Sequence, residues 1–196
     1  MAARVRAIAP ESALARTTDS ERDEALVANQ GGFSFLLVHG LTWVIAAALS
    51  FVLPLKLAAL VYLFQGFVAL PVSLVLERLL GFRTLSTKEN SLVWLFVLIA
   101  MAQGLALPAS IVAFSLDPRY LPVVFAATNG GHFLPYSWLY RTRAYVLLAV
   151  AAAFGPYACL VVVGPDATFH LAGVLVGAAL LATAWYVTRI SRAPVR

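Results

Sequence analysis

The residue types best equipped for chemistry cluster in one segment, Thr128-Asn129-Gly130-Gly131-His132-Phe133-Leu134-Pro135-Tyr136-Ser137-Trp138-Leu139-Tyr140. Wound as a helix, it places Asn129, His132, Tyr136 and Tyr140 within an arc of about 80°. That stripe offers an amide, an imidazole and two phenols, all donors or acceptors without fixed charge. Imidazole alone among them titrates near neutral pH, so His132 is the group that could move a proton. Gly130-Gly131 permits close backbone approach, and Pro135 frees the carbonyl of Gly131 from its helical bond. Two readings follow. The stripe lines a site or pathway, or Asn129 and His132 hold neighbouring helices together through hydrogen bonds worth about 0.6–2 kcal/mol each.

Gln65 and Gln103 stand at similar depth in two other apolar runs. If those runs adjoin the histidine-bearing one, Gln65, Gln103, Asn129, His132 and Tyr136 form a neutral polar cluster facing inward, because polar groups in hydrocarbon need partners. His39 lies in a fourth run and His170 at the start of a fifth. No acidic or cysteine residue shares their depth, so no metal site and no cofactor is expected. The single cysteine, Cys159, rules out an intramolecular disulfide. Catalytic motifs are missing too. The chain has no His-Glu-x-x-His, no Gly-x-Ser-x-Gly elbow, no Gly-x-Ser-Gly of a six-helix intramembrane serine protease and no phosphate-binding Gly-x-x-x-x-Gly-Lys-Ser/Thr. An enzyme is not expected, and no catalytic residue is assigned.

What must position these residues is a set of membrane helices. The 196 residues are 62% hydrophobic and only 12% charged, with mean hydropathy +0.88. A soluble domain of this size needs a more polar exterior. Runs of about 20 apolar residues fit a hydrocarbon core roughly 30 Å thick. Six are readable: Phe33–Leu53, Leu57–Leu76, Leu92–Phe114, Tyr120–Leu139, Ala144–Val163 and Thr168–Val187. Turn chemistry separates them at Pro54-Leu55-Lys56, Asp117-Pro118 and Gly164-Pro165-Asp166. The expected fold class is therefore all-α, a six-helix transmembrane bundle of three hairpins.

The basic residues orient it. With the N-terminus inside, 12 of the 14 lie in cytoplasmic segments, and only Lys56 and Arg119 fall outside. The positive-inside rule then places both termini in the cytoplasm. The net charge of +5 reads as this orientation signal, so no nucleic-acid partner is expected. Residues 1–32 lack the apolar core of a signal peptide. They read as a cytoplasmic tail, disordered over 1–17, with a short helix near 20–30 capped by Ser20 and ended by Gly31-Gly32. A second short tail follows at 190–196.

Gly173-x-x-x-Gly177 in the last span suits close helix packing, within the bundle or in a homodimer. Gln65-Gly66-Phe67-Val68-Ala69-Leu70-Pro71-Val72-Ser73 is similar to Gln103-Gly104-Leu105-Ala106-Leu107-Pro108-Ala109-Ser110 with one gap. Inverted repeats often frame a transporter's midplane site, although few-letter apolar sequences produce such matches readily.

Gly131-His132-Phe133-Leu134-Pro135-Tyr136-Ser137-Trp138-Leu139-Tyr140, with Tyr145, Leu60-Val61-Tyr62-Leu63-Phe64 and Gly66, resembles a family of small multipass bacterial membrane proteins of unknown function. The resemblance covers residues 30–165. It implies a bacterial inner-membrane location and supplies no activity. Two functional readings are carried forward. One is a small carrier or channel-like protein with a neutral midplane site for a ligand of unstated class, dimerising to alternate access. The other is an accessory protein whose polar residues are structural, its main partner being the lipid bilayer.

Overall fold

A computed structural model describes residues 11–191, with side chains from residue 18 onward. Seven α-helices follow one another: α1 (Glu11–Ala28), α2 (Phe33–Ser50), α3 (Leu55–Leu79), α4 (Val93–Leu105), α5 (Leu107–Leu116), α6 (Leu121–Leu139) and α7 (Ala144–Ser191). Short 3-10 turns precede α2 and α6. Among the described residues there is no strand. Four helical stretches are long and apolar enough to cross a membrane: Gln30–Ser50, Leu55–Leu79, Val93–Leu116 and Ala144–Ser191. α6, which carries the Asn129, His132 and Tyr136 stripe, is not among the four.

The 48-residue α7 is two helices. As one straight rod it would run about 72 Å at 1.5 Å per residue. Yet the Tyr145 hydroxyl donates to the Gly31 carbonyl, while a Cβ built on Gly31 would sit 3.2 Å from Cβ of Val187. Both ends therefore reach one point, and the chain reverses at Gly164, whose φ of 80° and ψ of 175° break the helix. Residues 144–163 form one arm and 165–191 the other. The expected Gly164-Pro165-Asp166 turn is where this reversal occurs.

Two other boundaries differ from the sequence reading. α1 begins at Glu11, so Ser20 lies inside the helix and caps nothing. The proposed disorder at 1–17 is replaced by helix from residue 11, and residues 1–10 and 192–196 lie outside the described ones. The third apolar run is broken at Ala106 into α4 and α5, because Pro108 has no N–H to offer the carbonyl of Gly104. The two similar segments also take different forms. Pro71 sits within unbroken α3, whereas Pro108 opens a new helix.

Glycines set the closest approaches. A Cβ on Gly173 would lie 2.6 Å from the Trp43 carbonyl oxygen, and one on Gly177 would lie 2.6 Å from Cγ2 of Val44. The second arm of α7 thus lies backbone to backbone on α2, within the chain. Gly130 does the same for α6 against the first arm, 2.7 Å from the Ala149 oxygen. Trp43, Tyr62, Phe125 and Phe169 fill the space between, with ring centroids 5.6–5.7 Å apart along the chain of contacts. Burying aromatic surface of this kind dominates core energetics. α4 stands apart. It buries only Ile99, and it packs on α6 while making little contact with α3, which packs on α2 instead.

Candidate functional site

The sparsely packed α3–α4 flank opens a cleft. Its upper chamber is about 220 Å³ and is lined by His39, Gln103, Asn129, His132 and the rings of Phe35, Phe67 and Phe125. A lower chamber of about 600 Å³ shares Phe35, Leu70, Ala100 and His132 with it, and runs past Tyr136 to Glu77 and Arg83. The two chambers therefore adjoin along these shared residues, and the polar cluster lines the upper one.

The polar side chains come from three helices: His39 from α2, Gln103 from α4, and Asn129, His132 and Tyr136 from α6. Gln103 closes α4 just before the Pro108 break, and its amide nitrogen donates to Asn129 Oδ1 at 2.6 Å. His132 sits 2.9 Å from the Ile99 carbonyl through Nδ1. A carbonyl only accepts, so Nδ1 carries the proton and Nε2 remains an acceptor. His39, on α2, receives the Trp43 indole N–H on Nε2 at 3.3 Å, which puts its own proton on Nδ1. It stacks on Phe35 at 5.1 Å and lies close enough to interact with Asn129 and His132. Tyr136 lines the lower chamber and meets His132, with ring centroids 5.5 Å apart.

Several of these groups are only half used. The buried atoms Nδ1 of His39, Nδ2 of Asn129 and Oε1 of Gln103 have no hydrogen-bond partner. His39 is 2% exposed and Asn129 3%, so water outside the molecule does not reach them. A buried polar atom left unpaired costs about 1–3 kcal/mol, and three such atoms belong to residues lining this one chamber.

Of the five residues predicted to converge, Gln103, Asn129, His132 and Tyr136 do so. Gln65 does not. It is buried against Thr42 on α2, outside the chamber, with one amide nitrogen unpartnered. His39 takes the place that Gln65 was expected to fill. His170 lies elsewhere, 2.7 Å from the Ser50 hydroxyl and stacked on Phe51. Among the described residues, no three His, Cys, Asp or Glu side chains gather as metal ligands would.

Beside the lower chamber, which Ala28 helps to line, α1 contacts two separate segments. Glu21 meets the Ser91 hydroxyl at 2.6 Å, Glu24 pairs with Arg83 at 3.0 Å, and Asn90 donates to the Glu21 carbonyl at 2.8 Å. On the other side Arg22 donates to the Trp138 carbonyl and covers the indole ring, while Arg141 lies 3.5 Å from Asp19. The helix thereby ties the segment before α4 to the α6–α7 turn.

Comparison with curated proteins and with solved structures yields no match. The profile of a family of unknown function, DUF7010, matches residues 18–189. That span takes in α1 from residue 18 onward and both arms of α7 as far as residue 189, well beyond the 30–165 that the resemblance covered. The chain belongs to DUF7010, a family of unknown function.

Proposed function

We propose that this protein is a six-span inner-membrane protein of bacteria, with both ends in the cytoplasm, that binds a small molecule at a neutral midplane site. In this reading it acts as a carrier or channel-like protein. The observation behind it is the cleft that joins His39, Gln103, Asn129 and His132 to the level of Glu77 and Arg83. A bundle whose polar groups served only as glue would be filled at this point, with those groups bonded to one another. The 12-to-2 division of basic residues supports a cytoplasmic mouth, since Arg83 lies on the basic side. No charged side chain lines the upper chamber, which favours a neutral ligand over an ion.

Native mass spectrometry of the full chain in gentle detergent tests the reading. A bound mass released on harsher activation is the expected result. A bare protein at every activation energy leaves the accessory reading. The same spectra report the oligomeric state, and a homodimer is expected because six short spans need a second copy to alternate access.

A further inference from the structure

We infer that the upper chamber takes a neutral, lipophilic molecule through a carbonyl oxygen lodged between His39 Nδ1–H and the Asn129 amide. This rests on the binding-site reading above and names the chemical class of the ligand. Both nitrogens are buried and lack partners, and both residues line the chamber. A carbonyl oxygen has two lone pairs and accepts from two donors at once. With no cation on the chamber wall, an anion would lose its water without a counter-charge. A cation would face two donors. A neutral acceptor meets neither penalty.

The rest of the cleft describes the body of the molecule. Phe35 lies flat on His39 at an interplanar angle of 19°, and Phe67 and Phe125 complete an aromatic wall that suits a flat ring. Below, Leu70, Leu74, Val97 and Met101 line a wider apolar passage fit for a hydrocarbon tail. Two membrane-soluble sources share this chemistry: a ring ketone of the quinone type and the acyl ester of a neutral lipid.

The test uses the full chain in detergent with four probes at matched mole fraction. They are 2-methyl-1,4-naphthoquinone, 2-methylnaphthalene (the same skeleton without the oxygens), a neutral monoacylglycerol and the corresponding fatty-acid anion. One-to-one adducts in native spectra and the rise in Tm are the readouts. At least one carbonyl probe should bind about tenfold or more tightly than the hydrocarbon, since two hydrogen bonds of about 1 kcal/mol each separate them. Asn129→Leu should erase most of that difference. Should that variant not fold, the naphthoquinone–hydrocarbon pair on the unaltered chain decides alone. Binding by the quinone only assigns the ring source, and binding by the monoacylglycerol only assigns the ester. Equal affinity for naphthoquinone and methylnaphthalene with no monoacylglycerol binding, or preference for the anion, overturns the inference. If neither carbonyl probe binds while a co-purified molecule of another class is retained, the ligand class fails and the site stands. A chain that retains nothing and binds no probe loses both.

Discussion

His132 gives one ring nitrogen to the Ile99 carbonyl and keeps the other free, and that division sets its mutational test. His132→Ala removes the interhelical bond and should lower stability in detergent by about 1–2 kcal/mol. His132→Gln keeps a donor for Ile99 and an acceptor oxygen and should fold normally, yet it loses the imidazole ring that lines the cleft and meets Tyr136. Loss of the co-purified ligand from a well-folded His132→Gln protein is the expected outcome in native spectra. Full retention would reduce His132 to a structural bond. The grouping of Asn129, His132 and Tyr136 was legible because all three lie on one helix, where spacing alone fixes the shared face. Their meeting with Gln103 needed only that α4 adjoin α6. His39 and Gln65 were not placed correctly for a physical reason. α2 and α3 are apolar nearly all round, with an apolar periodicity too weak to show which side turns inward. That choice is made by Gly40, Gly173 and Gly177 fitting together across the α2–α7 seam.

The helices themselves differ in what each glycine must tolerate. Gly177→Leu should cost about 1–3 kcal/mol in thermal unfolding, because the new side chain enters space held by Val44 and the Gly40 carbonyl. Replacing the neighbouring Leu175, which is 42% exposed, should cost less. Gly130 and Gly131 make a sharper pair. A methyl on Gly130 meets the Ala149 oxygen, whereas nothing lies within 4 Å of Gly131. Gly130→Ala should destabilise and Gly131→Ala should be nearly silent. If both are silent in the same assay, α6 does not lie on α7 as described. The helix ends were the more legible part, since Gly164 and Pro108 each carry their own breaking chemistry. α1 was the exception. Its eighteen residues have no strong apolar side, and polar contacts to two distant loops hold it in place.

At the α5–α6 turn, Arg119 chelates Asp117 and reaches Asp166 on the second arm of α7 at 3.1 Å. Hydrogen bonds from Arg119 hold the Asp117 carboxyl below its ordinary value of 3.8. A carboxyl lowered in the folded state contributes stability above its unfolded pKa and loses it as pH falls through the folded one. Acidification below 3.8 should therefore lower Tm, and Asp117→Asn should flatten that part of the profile. An unchanged profile in the variant would show that the clasp carries none of the acid sensitivity.

For the molecule as a whole, orientation is the first question. In a chain with Cys159 replaced by serine, a cysteine at Thr84 should resist an impermeant thiol reagent in intact cells. Cysteines at Asp117 and Asp166 should be labelled. Labelling at 84 from outside would invert the arrangement and move the mouth of the cleft to the other side. The bundle is also uneven. α2, α6, α7 and the first half of α3 share one aromatic core, while α4 and α5 cling to its edge.

That unevenness gives α1 an unusual place in the life of the chain. Arg22 and the Trp138 carbonyl it holds are 116 residues apart, and Glu21 and Ser91 are 70 apart. A nascent chain emerges N-terminus first, so α1 can meet Arg83, Asn90 and Ser91 before α6 exists, but it reaches the Trp138 carbonyl only after α6 has been made. Long-range closures of this kind form late. The tie between α1 and the α6–α7 turn is thus among the last contacts the chain can make, and until then α1 is held to one side of the cleft alone.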